Sequence, residues 1–149
     1  MKIDRRNMLR NMFALAAVLT FPRFLFAARP DTAFAATSAD KAIADLLGDG
    51  TPADSSAIQM KIPDIAENGA VVPVTVSTEL ENVESISIVV DNNPTPLAAS
   101  FDMGPKLLAT VSVRIKMGQS SPVRAIVKAG GKLYSTTKEV KVTIGGCGG

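Results

Sequence analysis

From Ile58 onward, apolar residues recur at every second position. Ile58, Met60 and Ile62 alternate with Gln59 and Lys61, and Val72, Val74 and Val76 alternate with Pro73, Thr75 and Ser77. Ile86, Ile88 and Val90 follow in the same period, as do Ala109, Val111, Val113, Ile115 and Met117. Val123, Ala125 and Val127 come next, and Val140, Val142 and Ile144 close the series. A period of two places one side of each strand on a core and the other in water. Turn signals stand between these runs at Glu67-Asn68-Gly69, Asn92-Asn93-Pro94-Thr95-Pro96 and Gly130-Gly131. Six or seven short strands so punctuated predict an all-β fold, an immunoglobulin-like antiparallel β-sandwich over residues 57–144. A small barrel is the alternative closure of the same pattern.

Upstream the period changes. In residues 38–48 Ala42, Ile43, Leu46 and Leu47 share one helical face, Ser38 stands at the capping position and Gly48 at the stop. Residues 36–56 therefore read as a short N-terminal helix and a Gly/Pro/Asp/Ser linker. Residues 1–35 have another character. Arg5-Arg6 and Arg10 precede an apolar run from Met12 to Thr20 and a second from Phe24 to Ala28. Ala33-Phe34-Ala35 then offers a small-residue cleavage site. Basic, apolar and cleavable segments in that order predict a cleavable signal peptide, and the arginine pair resembles a twin-arginine signal. A membrane anchor would need about 20 unbroken apolar residues, whereas Pro22-Arg23 interrupts this run. The expected location is the periplasm.

Removing such a leader changes the charge. The whole chain carries 16 Lys/Arg and 14 Asp/Glu, and residues 1–35 hold six of the former and two of the latter. Ten basic and twelve acidic residues remain, a net of about −2, with no basic excess to attract nucleic acid or an anionic membrane. The chain has no histidine and a single cysteine. One thiol makes no internal disulfide, and in an oxidising compartment it is either linked to another molecule or used chemically.

That cysteine lies in Gly145-Gly146-Cys147-Gly148-Gly149. Glycine lacks Cβ and is the costliest residue to order, so these five residues predict a slender, flexible arm. Cys147 would stand about 10 Å from Ile144 at full extension. No His, Lys or Arg accompanies the thiol, so partner enzymes are expected to activate it. A lone thiol without histidines makes no metal site. Two residues follow Cys147, one short of a prenylation signal. An inert tail and an intermolecular disulfide hook are the plainer uses of such an end.

The terminal Gly-Gly-Cys-Gly-Gly resembles the signature of the SoxY family, the sulfur-carrier subunits of bacterial thiosulfate oxidation. The likeness continues upstream through Ile65-Ala66-Glu67-Asn68-Gly69, Val71-Val72-Pro73-Val74, Asn93-Pro94, Arg114-Ile115-Lys116-Met117, Val123-Arg124-Ala125 and Val140-Lys141-Val142-Thr143. The resemblance implies that Cys147 is the covalent attachment point for sulfur and that Gly145, Gly146, Gly148 and Gly149 give the arm its freedom. It implies a heterodimer with SoxZ. It also implies service by a haem-containing cytochrome that couples thiosulfate to the thiol, a thiohydrolase that releases sulfate, and a sulfane dehydrogenase. On this reading the chain is a carrier and no enzyme. It has no cofactor beyond the thiosulfate or sulfane-sulfur adduct on Cys147. Two other classes fit parts of the pattern. A ubiquitin-like carrier would use the Gly149 carboxylate after adenylation, which needs ATP that an exported protein does not meet. An exported binding module would leave the tail inert.

Overall fold

The computed structural model describes residues 30–143. Two helices, α1 (Asp31–Ala35) and α2 (Ala39–Leu47), precede nine strands. These are β1 (Ala53–Asp54), β2 (Ile58–Lys61), β3 (Ile65–Ala66), β4 (Val72–Thr78), β5 (Val83–Val90), β6 (Leu97–Asp102), β7 (Thr110–Ile115), β8 (Ser121–Ala129) and β9 (Lys132–Val142). They form two sheets. One runs β1-β9-β8-β5-β6, with β3 added to β9, and the other runs β2-β4-β7. The arrangement is the sandwich that the alternation predicted, with the short helix on its N-terminal side. Its long neighbours are antiparallel, and only the two-residue strands β1 and β3 run parallel to their partner β9.

The core lies between the sheets. Val72, Val74 and Val76 of β4 face Ile86, Ile88 and Val90 of β5 and Val123, Ala125 and Val127 of β8, with Ile58, Ile62, Ala66, Ile115, Met117, Ala129 and Val140 completing the cluster. β-branched side chains suit this pleated, buried surface, and each contributes roughly 1.5–3 kcal/mol when fully buried. Every buried side-chain polar atom among the described residues has a hydrogen-bond partner.

Three features depart from simple alternation. Residues 85–90 of β5 are buried on both faces, and so are Ala125, Ile126 and Val127 of β8. The reason is α1 and α2, which cover the outer face. Ala33, Ala36, Ala42 and Ile43 pack with Val89, Leu97 and Ile126 in a second core. Second, β6 carries no clear period, because Ala98, Ala99, Ser100 and Phe101 are all half-buried on the sheet edge. Third, β9 begins at Lys132, eight residues before the apolar run that announces it. Its first half is polar because its two sides are both partly wet. Within the predicted linker, Ala53–Asp54 pairs with Tyr134 and Ser135. Together with β3 at the other end, this shields the β9 edge from unwanted strand pairing.

The turns match their chemistry. Gly130 and Gly131 have φ of 54° and 73°, the left-handed pair that a two-residue hairpin requires. Ser38 accepts a hydrogen bond from the Lys41 amide and caps α2, while Gly48 at φ 91° ends it. The last five residues of the expected leader form α1, in which Ala33 is fully buried. Pro30 precedes that helix, and residues 1–29 of the leader lie outside the described residues. No helix among the described residues is long and apolar enough to cross a membrane.

Candidate functional site

Cys147 and its flanking Gly145, Gly146, Gly148 and Gly149 lie outside the described residues. What the fold presents is the platform from which they depart, at the end of β9. Strand directions bring together there the end of β9, the start of β8, the β5–β6 and β7–β8 turns, and the β3–β4 turn.

Three anchors hold the last described residues. The Lys141 amide donates to the Asp64 carbonyl at 2.9 Å, and the Thr143 amide donates to the Ala66 carbonyl at 3.0 Å. The Val142 amide donates to Ser120 Oγ at 2.9 Å. β3 exists only for this contact, with Ile65 opposite Lys141 and Ala66 opposite Val142. Beneath it, Ala66, Met117 and Val140 are buried in the main core. A chain leaving this strand starts from a fixed point.

Gly69 is central to that fixity. The Met117 amide donates to its carbonyl at 2.7 Å. A Cβ on Gly69 would overlap the Met117 carbonyl oxygen and stand 2.9 Å from Val142 Cγ1. The sequence pattern marks Gly69 as a turn residue, and Asn68 does form a turn, accepting from the Ala70 amide at 2.9 Å. The further requirement, that two backbones approach where only glycine fits, comes from the fold.

A second brace joins the β5–β6 and β7–β8 turns. Asn93 Nδ2 donates to the Lys116 carbonyl at 2.7 Å, and its Oδ1 accepts from the Gly118 amide at 3.0 Å. Asn92 Nδ2 donates to the Ser120 carbonyl at 2.9 Å, its amide donates to Ser121 Oγ at 3.0 Å, and Gln119 Nε2 donates to the Asn92 carbonyl at 3.0 Å. Ser120, which also holds Val142, thus belongs to one bonded network with both asparagines. Asparagine suits this work because one amide donates and accepts at once. The sequence marks Asn92-Asn93 as punctuation and gives no sign that the pair reaches across to residues 116–121.

Polar and apolar groups surround the platform. Ile65 and Val71 are 58% and 49% exposed there, whereas the other exposed large apolar side chains, Leu107 and Leu108, occupy the opposite end. Arg114, Lys116 and Lys141 are exposed and form no ion pair among the described residues. The described residues contain no cluster of His, Cys, Asp and Glu that could hold a metal.

The family model of the sulfur oxidation protein SoxY matches residues 43–147, from the middle of α2 to the cysteine itself. The chain belongs to the SoxY family. Among solved structures, that of the sulfur carrier protein SoxY from Chlorobium limicola f thiosulfatophilum is 46% identical. It superimposes with a TM-score of 0.66, over 74% of this chain and 96% of that one. The superoxide reductase (neelaredoxin) from Ignicoccus hospitalis shares the fold alone, with 17% identity, a TM-score of 0.53 and coverage of 58% of this chain and 80% of that one. No curated protein matches the chain. SoxY membership assigns the chain a carrier role in sulfur oxidation and places it among components of the Sox system.

Proposed function

We propose that Cys147 is the covalent attachment site of this carrier and that the chain works in the periplasm as a heterodimer with SoxZ. The observation that carries the reading is the SoxY match, which runs without a break through the sandwich to Cys147. The platform supports it. Hydrogen bonds pin Val142 and Thr143, so the five residues Gly145–Gly149 leave from a rigid base, and the thiol alone has to travel. The basic and then apolar order of residues 1–28 supports export, and the arginine pair supports the twin-arginine route.

The chemistry balances as follows. The Cys147 thiolate and the sulfane sulfur of thiosulfate form an S–S bond, and two electrons pass to a haem enzyme. The product is Cys–S–S–sulfonate. Water then attacks the sulfonate sulfur, the bond between it and the sulfane sulfur breaks, sulfate and two protons leave, and Cys–S–S⁻ remains on the carrier. A thiohydrolase performs that step, and a sulfane dehydrogenase oxidises the sulfur that remains. Tethering holds the reacting sulfur at high local concentration and keeps intermediates from diffusing away. The chain supplies position; the enzymes supply activation.

The deciding measurement is the intact mass of the protein purified without reductant from cells oxidising thiosulfate. Sulfur adducts that map to Cys147 and disappear on reduction are the expected result. Cys147→Ser should abolish both the adducts and thiosulfate-dependent sulfate release while leaving the fold unchanged. A bare thiol during active turnover, or a Cys147→Ser variant that still supports oxidation, would refute the assignment.

A further inference from the structure

Among the clefts that the described residues form, three differ in charge. The first lies between α2 and β8, where Arg124 is already engaged by Asp91 at 2.8 Å and by Asp40 at 3.6 Å. The second, at the end opposite the platform, has Glu84 as its one charged lining group, and Glu84 pairs with Lys128 at 3.5 Å. The third, about 520 Å³ in volume, lies in the open seam between β6 and β7. Arg114 and Lys116 line it with Asn93, Thr95, Leu97 and Gly118 among others, and no carboxylate does. Neither cation has an ion-pair partner among the described residues. Asn93 holds the backbone on both sides of Met117 in place, so Lys116 projects from a braced turn.

This cationic cleft is on the platform. Gly118 lines it, and Ser120, two residues on and therefore at most ~7 Å of chain away, binds the Val142 amide. From Thr143 the four residues to Cys147 span up to about 14 Å when extended. The length of chain beyond Thr143 therefore allows a group on Cys147 to enter the seam.

We infer that the Arg114–Lys116 cleft is a docking site for the anionic sulfonate carried on Cys147. The inference rests on the assignment of Cys147 as the attachment site. Its chemical logic is complementarity. An unloaded Cys147 carries no acceptor oxygens for two unpaired cations to hold. A thiosulfonate brings a negative charge and three acceptor oxygens, which an arginine and a lysine suit. Loss of sulfate leaves a persulfide anion whose one charged sulfur replaces three sulfonate oxygens, so hydrolysis removes the acceptors that an arginine and a lysine hold best. The cleft thus distinguishes the loaded carrier from the empty one and shelters the S–S bond from stray thiols.

Tetrathionate makes the test possible without any partner enzyme. The Cys147 thiolate attacks a central sulfur of tetrathionate, the central S–S bond breaks, and thiosulfate leaves with the electron pair. The product is the same Cys–S–S–sulfonate. In 15N-labelled protein, loading should move the resonances of Lys116, Gly118 and the Asn93 side chain. Neutral carbamidomethylation of Cys147 should leave them in place. The shifts should collapse near 1 M salt, where the screening length falls to about 3 Å. Arg114→Gln/Lys116→Gln should accept the adduct, as judged by mass, yet lose these shifts. Exposed ion pairs of this kind are worth up to about fivefold each, so dithiothreitol should strip the variant roughly twofold to tenfold faster than the parent. An adduct confirmed by mass that leaves residues 114–118 unmoved, or moves them no more than carbamidomethylation, overturns the docking site and leaves the carrier assignment standing. The carrier assignment is tested separately by the intact mass from cells oxidising thiosulfate, and a bare Cys147 there removes the docking site with it.

Discussion

Gly69→Ala tests whether the platform is built as described. A new Cβ would meet the Met117 carbonyl oxygen and would stand 2.9 Å from Val142 Cγ1. The first obstacle is backbone, so no side-chain rotation relieves it, and either the β3–β4 turn or the β7–β8 turn at Met117 must shift. Overpacking of this kind costs about 1–3 kcal/mol. The shift also stretches the 2.7 Å bond from the Met117 amide to the Gly69 carbonyl, worth about 1 kcal/mol. Against this, alanine lowers the entropy of the unfolded chain and returns about 0.4–1 kcal/mol. The expected net loss is about 2 kcal/mol, a fall in Tm of roughly 8 °C for a domain of this size. Urea unfolding followed by circular dichroism measures the first quantity, and a thermal scan measures the second. Amide exchange locates the damage: Val142 and Thr143 should lose protection, because their anchors share this packing. Gly130→Ala provides the contrast. Nothing lies within 4 Å of a Cβ there, but φ is +54°. The cost of about 1–2 kcal/mol is then conformational, and exchange at Val142 and Thr143 should not change. If Gly69→Ala unfolds within about 0.5 kcal/mol of the parent and keeps Val142 protected, the close approach at the base of the arm is not a structural requirement.

Two further changes address the brace and the core. Asn93→Ala removes the two side-chain hydrogen bonds to the Lys116–Gly118 backbone and leaves that of the Met117 amide to Gly69 in place. It should cost about 1–2 kcal/mol and speed exchange at Gly118; unchanged exchange there would show that the brace is dispensable. Ile88→Ala empties a fully buried position between the sheets. It should cost about 2–5 kcal/mol, read as a lower urea midpoint with the same m-value, and a loss below about 1 kcal/mol would mean that the sheets close over the cavity.

Period-two alternation sufficed to predict two packed sheets, because a strand with one apolar side must bury it against another. The pattern was clearest where strands bury one face only, as in β4, where Val72, Val74 and Val76 alternate with half-wet neighbours. The Ser38 cap and the Gly48 stop of α2, and the Gly130-Gly131 hairpin, were equally legible, since each depends on local backbone chemistry. So was the unusual character of the tail, because a lone cysteine among four glycines needs no fold to be noticed.

Other features have causes remote in the chain. The double burial of β5 depends on two helices that begin about 50 residues earlier. β6 escaped notice because its small residues gain their partial burial from neighbours on a sheet edge. The polar first half of β9 is a strand because β8 pairs with it along its whole length, so that hydrogen bonding outweighs the missing apolar alternation. The base of the arm was the least visible. Asp64, Ala66, Asn92, Asn93, Met117 and Ser120 meet at the end of β9 only once the sheets have closed. Periodicity along a sequence reports which residues face a core. It carries no record of which loops, far apart in the chain, the packed strands will bring together to hold Val142 in place.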